Sequence, residues 1–156
     1  MKERLAMMLP LDDTVISELL RRIAAVAVTD SKAADDLLWE WIGRTPTPDG
    51  EERMKRLAKL APRLVAEEVT RDGWGGESGM WALDRPTGKE LSPDESVAAQ
   101  AVVRHLNGEA GTADEIIDAH VGPHGIQGLW GVGTAALRLL AAELRDQRAD
   151  EQSDRT

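Results

Sequence analysis

Apolar residues recur at helical spacing along most of the chain, with short polar or glycine-containing stretches between them. The first such stretch covers residues 12–28, and its apolar face consists of Val15, Leu19, Ile23 and Val26. A second predicted helix, residues 32–42, follows the capping residues 29–31 and ends at a glycine. A third, residues 51–71, contains Pro62, which predicts a kink or a break into two helices at that point.

Capping signals predict three more helices in the second half of the chain. Residues 92–95 (Ser-Pro-Asp-Glu) form a capping box and open a helix that runs to residue 106. Residues 112–115 repeat the pattern and predict a short helix to residue 121, and the last helix is expected over residues 126–148. The sequence therefore predicts a mainly α fold, a compact bundle of six to seven helices.

The segment between the two halves differs in composition from the helices on either side. Four glycines fall within residues 73–79, and two short apolar stretches follow them. This pattern predicts a short β-hairpin or an irregular loop at residues 74–91. We interpret residues 73–91 as a connector inside one domain, residues 1–148, and residues 149–156 as a polar, flexible tail.

Internal similarity suggests that the two halves are related. Residues 34–38 resemble residues 113–117, and residues 63–66 resemble residues 138–141. Val15 and Arg22 likewise recur as Val97 and Arg104, in the same order along the chain. These matches favour two tandem three-helix units, 12–72 and 92–148. Helices rich in alanine, leucine and acidic residues also align by chance, so the duplication is a hypothesis.

Composition narrows the function classes. The formal charge is −9 and the aromatic residues are five tryptophans, with no phenylalanine, tyrosine or cysteine. The negative charge disfavours nonspecific binding to nucleic acid or anionic lipid. The absence of cysteine excludes disulfides and thiolate chemistry, and we expect a cytoplasmic protein. We read no secretory signal and no apolar stretch long enough for a membrane helix.

Histidines and acidic residues form the main candidates for a chemical site. We predict that an alternative ligand or metal site, lying between the two halves, would use Asp36, Glu40, Asp118, His120 and His124. Carboxylates three or four positions apart on helices can bind magnesium, and histidine binds transition metals. The acidic residues also lie in first helical turns, where they stabilise the helix dipole. We therefore predict neither a metal nor another cofactor.

The tryptophans lead to the preferred hypothesis. Trp74 and Trp81 lie in the connector, and Trp41 lies two positions from Trp39, so one of that pair can reach a binding surface. We expect Trp39 and Trp130 in the core, and Trp41, Trp74 and Trp81 at a protein-binding surface. The preferred function is a non-enzymatic interaction module, an adaptor, chaperone-like partner or regulator of another protein.

Two other functions stay open at this point. One is a small enzyme or ligand-binding protein that uses the acidic and histidine residues. The other is a nucleic-acid-related role, either as a binder through the basic stretch of residues 53–63 or as an acidic mimic of a phosphate backbone. The sequence leaves self-association open and does not identify the partner.

Overall fold

The computed structural model describes residues 12–43, 48–71 and 91–154, with the side chains of Pro48 and residues 149–154 left aside. These residues contain no strand and form five α-helices: α1 (Asp13–Thr29), α2 (Ser31–Ile42), α3 (Pro48–Arg71), α4 (Pro93–Leu106) and α5 (Ala110–Asp154). The mainly α fold class is confirmed for this part of the chain. The hairpin or loop predicted at residues 74–91 lies outside the described residues up to residue 90.

Local capping explains where the helices begin. Asp12 accepts a hydrogen bond from the Thr14 N–H at 2.7 Å, and Asp30 accepts one from the Ala33 N–H at 3.0 Å. The predicted capping box of α4 is present, because the Ser92 hydroxyl accepts from the Glu95 N–H at 3.2 Å and Glu95 accepts from the Ser92 N–H at 3.2 Å. These bonds satisfy backbone donors that have no partner inside the helix.

Replacing Ser92 with alanine should lower the free energy of unfolding by about 1 kcal/mol, because the N–H of Glu95 loses its acceptor. Thr112→Ala is the matched control, since Thr112 begins the second capping-box sequence but lies inside α5. We expect it to change stability by less than about 0.5 kcal/mol. Urea unfolding measures both variants, and equal losses would contradict the capping role of Ser92.

The structure has five helices where six to seven were expected, and of the two predicted interruptions one is absent and one is present. Pro62 lies inside a continuous α3 with its ring fully buried, and this packing offsets the lost backbone hydrogen bond. Helix α5 continues through Pro123 and changes direction at Gly125, where φ is 63° and ψ is −143°. Its start was also predicted wrongly: α5 begins at Ala110, after Gly108 turns the chain at φ 77°. Glycine adopts positive φ without steric strain, and the non-helical Gly125 lies in the interruption expected between residues 121 and 126.

The core lies around the crossing of the two longest helices, α3 and α5. Helices α1 and α4 pack on both of them, and α2 packs on α1 and α3. Every helix contributes to one continuous apolar cluster, with buried representatives at Leu20, Ile42, Leu57, Val102 and Leu140. In the described ranges, no helix combines the length and apolar character needed to cross a membrane.

Buried residues of the second half correspond to buried residues of the first half, at the same offsets that relate the matching sequence segments. The repeated buried pairs are Ala34/Ala113, Leu38/Ile117, Leu57/Val132 and Ala61/Ala136. Packing is reciprocal as well, because α1 of the first half packs on α5 and α4 of the second half packs on α3. Leu64 and Leu139 depart from the pattern, since the first is buried and the second is 39% exposed. These correspondences agree with the duplication hypothesis, which remains a prediction.

Candidate functional site

A surface groove runs between α1, α2 and the part of α5 that follows Gly125. Its volume is about 640 Å³, and its floor contains small side chains from all three helices: Ala24, Ala27, Ala34, Ala141 and Ala142. A single residue, Asp30, separates α1 from α2, so these two helices form adjoining sides of the groove. Small side chains on the floor allow another helix to approach closely.

Two tryptophans contribute most of the aromatic surface of this groove. Trp39 of α2 and Trp130 of α5 have ring centroids 4.6 Å apart, with their planes inclined by 35°. Trp130 packs against the core, whereas Trp39 is 39% exposed. Aromatic pairs at this separation attract each other by about 0.5–1.5 kcal/mol beyond their burial. The core therefore holds Trp130, and Trp130 in turn positions an exposed indole beside the alanine floor.

Three charged residues border the same groove. Asp35 comes from α2, and Arg138 and Arg145 come from α5. None of the three makes an ion pair within the part of the chain that the structure describes. Arg138 and Arg145 are seven positions apart, so they lie on one side of α5, about 10 Å apart along its axis. The groove thus combines an apolar floor with two unpaired cations on one wall and one unpaired anion on another.

The basic stretch of α3 borders a different groove, formed with α4 and the first turns of α5. Of the four cations that line it, three form ion pairs: Arg56–Asp13 at 2.6 Å, Lys59–Asp118 at 3.3 Å and Arg63–Glu67 at 3.2 Å. His105 also lies there, and burial lowers the pKa of His105 below its ordinary value, against the opposing effect of Asp114. These ion pairs reduce the free positive charge of this surface.

The burial of the tryptophans on α2 is the reverse of our prediction. Trp41, which we assigned to a protein-binding surface, is only 7% exposed, and Trp39, expected in the core, is 39% exposed. Ala34, Leu38 and Trp41 follow the helical spacing of one face, and that face packs into the core. The spacing of Ala34 and Leu38 was visible in the sequence and could have identified the inward-facing tryptophan. Trp74 and Trp81 lie outside the described residues.

The residues of the alternative ligand or metal site are not gathered at one place. Asp118 pairs with Lys59 of α3 at 3.3 Å, and Asp36 and Glu40 are exposed on α2. His120 and His124 are neighbours, with ring centroids 4.5 Å apart. Over the described ranges, no group of three histidine or carboxylate side chains is arranged to hold a metal ion.

His120 has a partner that the sequence analysis missed. Its Nε2 lies 2.6 Å from a carboxylate oxygen of Asp94, in the first turn of α4. Gly131 makes this approach possible, because a Cβ at that position would overlap the Asp94 carboxylate. Among the described residues, Asp94 is the only hydrogen-bond partner of the His120 side chain. The glycine at position 131 was a sequence signal for this close contact.

Comparison with protein families, curated proteins and solved structures finds no match to this chain. The functional argument therefore rests on the geometry of the two candidate places. The Asp94–His120 pair joins two helices, whereas the groove between α1, α2 and α5 has unpaired charge, exposed aromatic surface and room for a ligand.

Proposed function

We propose that this chain is a non-enzymatic interaction module that binds a helical segment of another protein in the groove between α1, α2 and α5. The exposed Trp39, held against Trp130 beside an alanine-lined floor, carries the proposal. Tryptophan is enriched among the residues that contribute most to protein–protein binding. An adaptor, a chaperone-like protein or a regulator would all use such a surface.

The shape of the groove favours a helix as the bound element. From Trp130 to Arg145, α5 lines the groove over about 22 Å, which is four helical turns. Helices that dock in grooves use apolar residues at intervals of three, four and seven positions, and a floor of small side chains accommodates such a row. The predicted binding residues Trp74 and Trp81 remain candidates for a further contact surface.

The other two functions have less support from the described residues. A small enzyme or ligand-binding protein would need its acidic and histidine residues to converge, and Asp118 and His120 have separate partners. A nucleic-acid binder would need free cations on one surface. Most of the lysines and arginines that border the groove between α3, α4 and the first turns of α5 form ion pairs instead.

Trp39→Ala should weaken binding of the partner roughly 30-fold, as expected for loss of a central aromatic contact. The partner would be captured from an extract of the native cells, identified by mass spectrometry, and titrated as a purified protein. Leu37→Ala is the matched control, because Leu37 is on the same helix and is also 39% exposed but does not line the groove. We expect that variant to bind as the unaltered chain does.

A second variant separates binding from folding. Ala142→Gln leaves the core in place and puts a longer polar side chain into the groove, so binding should fall while the melting temperature stays within about 4 °C. A partner that binds Trp39→Ala and Ala142→Gln as tightly as the unaltered chain would contradict the proposal.

A further inference from the structure

We propose that the occupant of this groove is an amphipathic helix of a different protein, with two acidic residues seven positions apart along one edge, which Arg138 and Arg145 bind. This inference rests on the proposed function, since it specifies the partner of the same groove. It concerns the charge pattern of the partner, which the apolar floor and Trp39 do not determine.

The position and pairing of the two arginines support an acidic partner. Both are exposed, both border the groove, and neither forms an ion pair in the described residues. Some arginines elsewhere do, since Arg21 contacts Glu67 at 2.7 Å and Arg104 contacts Glu109 at 2.9 Å, whereas the exposed Arg22 and Arg148 do not within the described residues. Arginine binds carboxylates through two parallel hydrogen bonds, which adds orientation to attraction.

The spacing of the arginines determines the spacing on the partner. Two residues seven apart on a helix differ by about 20° in direction and by about 10 Å along the axis. A helix lying along α5 therefore brings carboxylates to both arginines when its own acidic residues are seven positions apart. Its apolar residues, at intervals of three and four, then face the alanine floor.

The opposite wall carries the reverse charge. Asp35 of α2 borders the groove and is exposed without an ion pair in the described part of the chain. An acidic residue on the α2-facing edge of the partner would be repelled, while a lysine or arginine there would be attracted. The acidic edge of the partner therefore faces α5, and the orientation of the bound helix follows from these charges.

A second copy of this chain matches that pattern poorly. On the described helices the one pair of carboxylates seven positions apart is Glu143 and Asp150 of α5, and Glu143 is half-buried. The net charge of −9 also makes two copies repel each other at long range. These observations favour a heterologous partner over a symmetric dimer through this groove.

The test is a selection from displayed peptides against the intact chain. Each peptide has 18 residues (about five helical turns), with a constant row of leucine and alanine at helical spacing and randomised polar positions. We expect the recovered sequences to carry Asp or Glu seven positions apart on one edge. A synthesised representative would then be titrated by fluorescence anisotropy at low and at physiological ionic strength.

Charge reversal gives the decisive comparison. The double variant Arg138→Glu with Arg145→Glu should bind the selected peptide roughly 30-fold or more weakly. The double variant Arg22→Glu with Arg148→Glu changes the net charge equally at exposed arginines outside the groove and should bind almost normally. A peptide whose two acidic residues are replaced by lysine should regain binding to the Arg138→Glu, Arg145→Glu chain.

The outcomes separate this inference from the proposed function. Peptides that depend on Trp39 but bind the Arg138→Glu, Arg145→Glu chain normally would overturn the acidic partner and keep the helix-binding groove. A selection that yields no Trp39-dependent peptide would overturn the groove as a helix-binding site, and the acidic partner with it. Sedimentation of the chain alone is the third measurement: a dimer that Trp39→Ala dissociates would assign the groove to a second copy and overturn the heterologous partner.

Discussion

Leu57→Ala should lower the free energy of unfolding by about 3–5 kcal/mol, the largest effect expected for a single substitution here. Leu57 is fully buried on α3, at its contact with Gly133 of α5. A Cβ at Gly133 would lie 2.5 Å from the Leu57 Cγ, so the leucine side chain occupies the space next to the glycine. Removing it leaves a cavity at the centre of the bundle, which the two longest helices cannot close without moving.

The same contact predicts a compensating pair. Gly133→Ala alone should be destabilising by about 1–3 kcal/mol, because its methyl group overlaps Leu57. In the double variant, that methyl group enters the space that Leu57 leaves, so the combined loss should be smaller than the sum by about 1 kcal/mol or more. Urea unfolding of the four chains measures this coupling. Strictly additive losses would show that the two residues do not share this space.

Leu139→Ala provides the control for the effect of leucine itself. Leu139 is on the same helix as Gly133 but is 39% exposed. Its replacement should change the free energy of unfolding by less than about 1 kcal/mol, because little apolar surface returns to water. A loss as large as that of Leu57→Ala would contradict the placement of the core at the crossing of α3 and α5.

Glu68→Ala should lower the free energy of unfolding by about 2–3 kcal/mol, the second largest effect. Glu68 is the buried charged residue of the described core, 4% exposed, and it lies between α1, α3 and α5. Its carboxylate contacts Arg71 at 3.3 Å and Arg21 at 3.7 Å, and it accepts a hydrogen bond from Gln147 at 3.2 Å. Removing it leaves polar groups of three helices without their common partner. Both arginines are partly exposed, so water can replace some of the interactions that they lose with the carboxylate. The expected loss of stability is therefore smaller than for breaking a fully buried ion pair.

Glu67→Ala is the matched control for Glu68→Ala. Glu67 is the preceding residue and pairs with Arg21 and Arg63, but its side chain is 42% exposed. Exposed ion pairs contribute little, so the expected loss is below about 1 kcal/mol. Glu68→Gln keeps a group that can bond to Gln147 and should retain part of the stability. Equal losses from Glu67→Ala and Glu68→Ala in chemical unfolding would contradict a buried role for Glu68.

The groove shows why the candidate site was harder to predict than the helices. Its lining comes from α1, α2 and α5, and Trp39 and Trp130 are 91 positions apart in sequence. Nothing in the local pattern around Trp39 indicates that Trp130 will lie against it. The alanines of the floor are also ordinary helix-forming residues, and only their convergence makes them the base of a groove.

Local rules were sufficient for features determined within a few residues. The apolar spacing identified α1, α2, α3 and α4 as helices, and the capping box at Ser92 was confirmed. Helix periodicity and the hydrogen bonds of the first backbone N–H groups both depend on residues that are neighbours in sequence. The same rules were wrong at Pro62, where the helix continues through the proline, whereas the interruption expected between residues 121 and 126 is present at Gly125. Packing with distant helices decides whether such a position breaks, bends or continues.

The amino-acid sequence by itself determined the helical class of this chain, most helix boundaries and the acidic character of its surface, because these follow from composition and short-range spacing. Only the tertiary structure decided that Trp41 is buried while Trp39 is exposed, that Asp94 binds His120, and that Arg138 and Arg145 border a groove without carboxylate partners among the described residues. Each of these facts depends on which helix faces meet. That choice is made by the summed burial of apolar surface over the whole chain, and no single segment contains it.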